Sequence, residues 1–172
     1  MTDVTDTARA KAKLWDLIRD IEVAMMTTVD QDGSLRSRPM ATRNGRDGSP
    51  EIKGGLWFFT RAGAPKSAEL ERHDHVNLSY ANPDDQNYVS VSGSAEVIRD
   101  RAMIDELWTE ALTTWFPNGK RDPEVALLKV TVDKAEFWDT PSSTMVNAYG
   151  YVKAKLTGKS PHPGEHAKVN LH

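Results

Sequence analysis

Residues 88–98, YVSVSGSAEVI, alternate without a break. Val89, Val91, Gly93, Ala95 and Val97 fall on one side, and Ser90, Ser92, Ser94 and Glu96 on the other. Period two with one apolar face marks a half-buried antiparallel strand. Such a strand needs antiparallel neighbours, and the flanking sequence supplies them. Upstream, Val76–Tyr80 is a short strand closed by Asn82-Pro83-Asp84. Leu56–Thr60 (LWFFT) is shorter and strongly apolar. Glu22–Val29 and Leu35–Arg43 flank Asp30-Gln31-Asp32-Gly33, a hairpin turn signal. Downstream, Ala126–Trp138 is the last long strand. Pro39 sits inside LRSRPMATR and cannot donate to a ladder, so it implies an edge strand or a bulge.

Helices fall between the strands. Ala8, Ala12, Trp15 and Ile18 recur at helical spacing over Thr5–Asp20, with Thr5 or Asp6 placed to cap. Pro65 suits the first position of a helix running to about Arg72. Asp100 is placed to cap a helix whose stripe is Ile104, Leu107, Trp108, Ala111, Leu112 and Trp115, ended by Phe116-Pro117-Asn118-Gly119. Asn147–Leu156 reads as a short helix, and Gly158–His172 as a polar, mobile tail. At least six strands with inserted helices give an antiparallel β-barrel of α+β character. The expected domain is residues 1–157, with 158–172 as the tail.

Composition removes whole classes of function. The 172 residues contain no cysteine, which excludes disulfides, thiolate metal sites and thiol nucleophiles. A net charge of −3 leaves no footprint for nucleic acid. No apolar run approaches the roughly 20 residues that span a bilayer, and the N-terminus has no signal-like apolar region. The expected compartment is the cytoplasm. His73 and His75 form an HxH, and His162, His166 and His172 lie in the tail. Neither set has companion carboxylates at metal-site spacing. Gly-rich phosphate loops and a GxSxG elbow are both absent.

Positive charge is nonetheless concentrated. Arg36, Arg38, Arg43 and Arg46 crowd one strand and its loop, and Arg61 and Lys66 flank the Pro65 helix. Lys66 falls in the helix's first turn, where the dipole disfavours a cation by ~0.3–1 kcal/mol. No acid precedes it in that turn. A bound phosphate would resolve the conflict, because helix N-termini bind anions. Trp57, Phe58 and Phe59 read as core, whereas Trp138, at a strand end beside a polar loop, can wall a ring ligand.

RSRPMATR (36–43), LWFFTRAGAPKSAELERHDHVNLSY (56–80), YVSVSGSAEVI (88–98), AEFWDT (135–140) and EHAKVNL (165–171) follow one another in a familiar order. In that order and spacing the chain resembles the pyridoxamine 5'-phosphate oxidase-like FMN-binding split-barrel family, in its general stress protein 26 branch. The resemblance implies a homodimer with FMN at the subunit interface. It implies that Arg38, Pro39, Met40, Ala41, Thr42 and Arg43 run along the flavin, with Arg38 toward the phosphate. Phe59 and Thr60 would touch the ring or its chain. Lys66 matches the phosphate-binding lysine, and Tyr88 stands where relatives place a polar flavin contact. Trp138 matches a tryptophan that packs on the flavin from the partner subunit. Strict alternation puts Arg38 and Arg43 on opposite faces, so both serve one site only if Pro39 bends the strand.

Departures from the oxidases bear on activity. Pro65 replaces an arginine, Tyr88 a glutamine and Arg43 a lysine that also touches substrate, and no Arg-x-His follows Trp138. These point away from oxidation of pyridoxamine phosphate. The resemblance therefore implies an FMN-dependent oxidoreductase of unknown substrate, exchanging electrons with a small molecule. The alternatives are a non-enzymatic flavin carrier or sensor, a relative using the deazaflavin F420 (or FAD) and a cofactor-free interaction module.

Overall fold

The alternating segments do pair as one antiparallel sheet. The computed structural model describes residues 4–139 and 165–170. Its elements are α1 (Val4–Ile21), β1 (Val23–Val29), β2 (Leu35–Ala41), β3 (Leu56–Arg61), α2 (Pro65–Arg72), β4 (His75–Asn82), β5 (Asn87–Ile98), α3 (Arg101–Leu107), a 3-10 turn at Glu110–Thr114, β6 (Val125–Asp139) and β7 (Glu165–Asn170). The sheet order is β2-β1-β4-β5-β6-β3, with β7 also on β6. A single bridge, Arg43 to Trp57, brings the end of β2 to β3 and closes the ring there. The result is an antiparallel split β-barrel with α+β character.

Local chemistry accounts for the joints. Gly33 takes φ +82° in the β1–β2 turn, where a side chain would be strained. The register then runs unbroken from Val29 opposite Leu35 to Val23 opposite Ala41. Pro39 lies in that register opposite Met25, on the edge strand and without a bulge. Asp100 caps α3, its carboxylate accepting from the N–H groups of Ala102 (2.9 Å) and Met103 (3.2 Å).

β3 is buried on both faces, which explains its unbroken apolar run. Leu56 and Phe58 face the barrel interior with Leu78, Tyr80, Val91 and Phe137. Trp57 and Phe59 face a second core with Met103, Ile104, Leu107 and Phe116. α1 closes the barrel with Leu14, Leu17 and Ile18. Its buried face is thus rotated from the expected one, and Ala8 and Ala12 are exposed. Each large side chain fully buried here contributes about 1.5–3 kcal/mol.

Two further elements differ from expectation. The stripe through Trp115 does not form one helix. α3 stops at Leu107, and Trp108 is extended (φ −66°, ψ 136°). The Trp108 ring packs edge-on against Phe59 at 5.7 Å and tilted on Phe116 at 6.2 Å. Tertiary packing outweighs the local helical pattern, and Trp115 is left 72% exposed. Within the segment read as a tail, Glu165–Asn170 forms β7 on the outer half of β6. The expected helix at 147–156 lies outside the described residues.

The β5–β6 ladder holds one irregularity. Ser92 pairs with Lys134 but Gly93 pairs with Val132, so Asp133 is an extra residue in β6. Before it Leu128, Val130 and Val132 face inward, and after it Ala135 and Phe137 do. A β-bulge resets the alternation. It requires a glycine, because a Cβ on Gly93 would meet the Thr131 carbonyl oxygen at 2.2 Å. Gly93→Ala is therefore expected to lower stability by about 1–3 kcal/mol, the scale of forced overpacking. A urea midpoint equal to that of the parent protein would contradict this account of the bulge.

Candidate functional site

A cleft of about 490 Å³ opens where the barrel closes. Pro39, Met40 and Ala41 of β2, with Arg43 beyond it, form one side, and Val23 of β1 adjoins them. Phe59, Thr60 and Arg61 of β3 form the floor, and Ala64 marks the start of α2. Leu112, Trp115 and Phe116 form the facing wall. Six residues named from the sequence thus meet here: Pro39, Met40, Ala41, Arg43, Phe59 and Thr60.

Backbone bonds fix the closure. The Thr42 N–H donates to Glu22 O (2.9 Å), and the Arg43 N–H to Trp57 O (2.8 Å). Thr42 itself faces inward, where its hydroxyl meets the Tyr80 phenol at 2.8 Å. Burial pushes the Tyr80 phenol up, with the Thr42 hydrogen bond opposing. The Arg43 guanidinium reaches Thr109 Oγ1 at 3.5 Å, and its Nε is buried with no hydrogen-bond partner.

The start of α2 is electropositive. Ala64 is extended and supplies no side-chain cap, Pro65 occupies the first turn, and no acid lies there. With no acid and no side-chain cap there, the helix dipole favours an anion at this end. Lys66 stands in that turn; its side chain lies outside the described set.

Arg38 stays on the other face of β2, because Pro39 makes no bulge. Its guanidinium donates to both oxygens of Glu69, at 3.0 and 3.3 Å. Glu69 is only 3% exposed and also accepts from the Thr28 hydroxyl at 2.9 Å. This network ties β1 and β2 to α2. Sequence reading missed Glu69, and the signal available was an inward-facing arginine in need of a carboxylate.

Tyr88 and Trp138 lie elsewhere. They pair across β5 and β6 on the outer face of the sheet, 41% and 39% exposed. Arg61, in the charge cluster read from the sequence, is a cleft residue. Trp115, Leu112 and Phe116 were assigned to a helix stripe and its end, and the break at Trp108 turns them into the wall. Another groove, of about 670 Å³ near Thr27, His75, Ser92 and Asp133, contains none of the cofactor-site residues expected from the sequence. Among the described residues no helix is long and apolar enough to cross a membrane, and no group of three or more histidines or carboxylates is placed to hold a metal ion.

A closed barrel end, an arginine-bearing cleft and an uncapped helix start define a split-barrel protein with an electropositive cleft at its closure. A family profile described as pyridoxamine 5'-phosphate oxidase like matches residues 9–162, and the chain belongs to that family. Protein bli-3 of Neurospora crassa is 28% identical over 79% of this chain and 68% of its own length. General stress protein 26 of Bacillus subtilis is 26% identical over 80% of this chain and 94% of its own. The general stress FMN/FAD binding protein of Xanthomonas citri is 30% identical and superimposes with a TM-score of 0.67, covering 80% of this chain and 93% of that one.

Burial makes the two ends of the Arg38–Glu69 pair unequal. Arg38→Met strands a buried carboxylate, which costs about 3–5 kcal/mol. Glu69→Gln keeps an acceptor for Thr28 and leaves a guanidinium already one-fifth exposed, so it is expected to cost clearly less. Chemical unfolding of the two variants checks the order, and equal losses would count against it.

Proposed function

We propose that the cleft holds FMN and that the protein is a flavin-dependent oxidoreductase working as a homodimer. One observation carries the reading. The end of β2, Phe59 and Thr60 of β3, and the uncapped start of α2 share one cleft, in a chain of a family whose Xanthomonas citri member is an FMN/FAD binding protein.

The donor set fits the group. A flat apolar ring system finds Pro39, Met40, Ala41 and Phe59. A ring carbonyl finds the unsatisfied Arg43 Nε. A phosphate finds the positive end of the α2 dipole and the charge of Lys66. Bound FMN supplies hydride and single-electron transfer. The residues lining the cleft include no histidine and no carboxylate, so the chain's part is to bind, orient and exclude water. Arg43 stands where the oxidases place a substrate-touching lysine and no Arg-x-His follows Trp138, and from these departures we infer a different substrate.

The dimer reading rests on the outer face. The strand registers place Ala41, Val23, Ala81, Tyr88 and Trp138 in one row across β2, β1, β4, β5 and β6. All five are exposed. The row starts at the cleft and ends at Trp138. A two-fold interface is self-complementary, each end of a patch meeting the other. Docking this face on its copy would bring Trp138 of each chain to the other's cleft.

Titration of apo-protein with FMN and with riboflavin tests the reading. Saturable FMN binding with a shifted visible band is expected. Lys66→Ala is expected to weaken FMN by about tenfold or more, the worth of a charge-assisted hydrogen bond, and to spare riboflavin. Equal weakening of both would remove Lys66 from the phosphate site. Trp138→Glu is expected to give monomers that lose flavin; light scattering that finds monomers with undiminished affinity would refute the shared site.

A further inference from the structure

The wall facing the proposed flavin position carries two residues to which the flavin reading gives no part, Arg61 and Trp115. Two guanidiniums from the strands brace it. Arg43 reaches Thr109 Oγ1, and the Arg61 guanidinium donates to Trp115 O at 2.8 Å. Arg61 also lies over the Phe116 ring, 5.3 Å from its centroid. Among the described residues neither arginine forms an ion pair, whereas Arg38 has Glu69 and Arg36 has Asp30. Asp122 feels Arg61 through space, but its carboxylate is occupied by the Glu124 N–H and the Asn118 amide. Leu112 and Trp115 line the same cleft as both arginines, and Trp115 is 72% exposed. A large exposed aromatic beside unpaired cations is the informative exception on a soluble surface.

We infer that this wall is a second ligand position, built for a flat aromatic carboxylate that lies between Trp115 and the flavin with its carboxylate on the Arg61 guanidinium. The inference rests on the flavin reading of the cleft. A guanidinium fork matches the plane of a carboxylate. The indole and Leu112 offer a flat apolar face to the ring that carries it. A cationic ligand would meet two unpaired arginines and no acid lining the cleft. Arg61 projects with Phe59 from the side of β3 that faces the second core, against Trp115 and Phe116. This separates its role from that of the α2 N-terminus.

The probe is 2-naphthoate, titrated into FMN-loaded protein by its fluorescence, with neutral 2-naphthamide as the shape-matched control. Naphthoate is expected to bind at least about tenfold more tightly than the amide, the scale of one charge-assisted contact. Arg61→Met is expected to abolish that difference and Trp115→Ala to weaken both probes alike. Equal affinity of the two probes for the parent protein would overturn the inference. So would an undiminished preference in Arg61→Met, or loss of FMN in that variant, which would assign Arg61 to the cofactor. If the parent protein retains no FMN, the flavin reading fails by that measure alone. The same titration on the colourless protein then still decides whether Arg61 and Trp115 form an anion site.

Discussion

One extra residue in β6, Asp133 opposite Gly93, decides which way the second half of that strand faces. With unbroken alternation from Leu128, Val130 and Val132, the next inward residues would be Lys134, Glu136 and Trp138. Burying an unpaired lysine and glutamate in the barrel is far costlier than a local break in the ladder. The bulge sends Lys134, Glu136 and Trp138 outward and gives Ala135 and Phe137 to the core. Trp138 then stands beside Tyr88 at the end of the apolar outer row. The proposed dimer face follows from a backbone approach that only a glycine at 93 permits.

Elements set by local chemistry were legible in the sequence. β5 was read within one residue from its alternation, α2 from Pro65, the α3 start from Asp100, and the β1–β2 hairpin from its Asp-Gly turn. Features decided by distant contacts were not. The break at Trp108 goes with its packing on Phe59, far away in sequence, as well as on nearby Phe116. β7 reads as polar tail because its partner, the outer half of β6, is what makes it a strand. The burial of Arg38 depends on Glu69, which nothing local to β2 announces.

The same division runs through the cleft. Its strand side, from Pro39 to Arg43 with Phe59 and Thr60, carries motifs that a reader of the family order can place. Its facing wall is made by residues whose helical spacing predicts a buried stripe. Periodicity describes one element at a time, and here the element ends midway. Trp115 thereby moves from an expected packed face to an exposed position on the cleft wall. Arg61 is similar. Its charge was visible in the sequence, while its platform of Phe116 and the Trp115 carbonyl is purely tertiary.

Three arginines near the barrel closure show how a chain of net charge −3 can still concentrate positive charge in one place. Arg38 is cancelled by Glu69 and serves to fasten α2 to the sheet. That pairing removes a competing positive centre from behind β2 while holding the α2 start at the cleft. Arg43 and Arg61 keep their charges, because no carboxylate among the described residues pairs with them and aromatic or hydroxyl partners hold them in position. Screening by salt fades charges beyond about 8–10 Å, so overall acidity matters little inside the cleft. What counts is which cations are left unneutralised at its walls. A net-charge argument is silent about a site of this size; only the pairing of each individual guanidinium locates it.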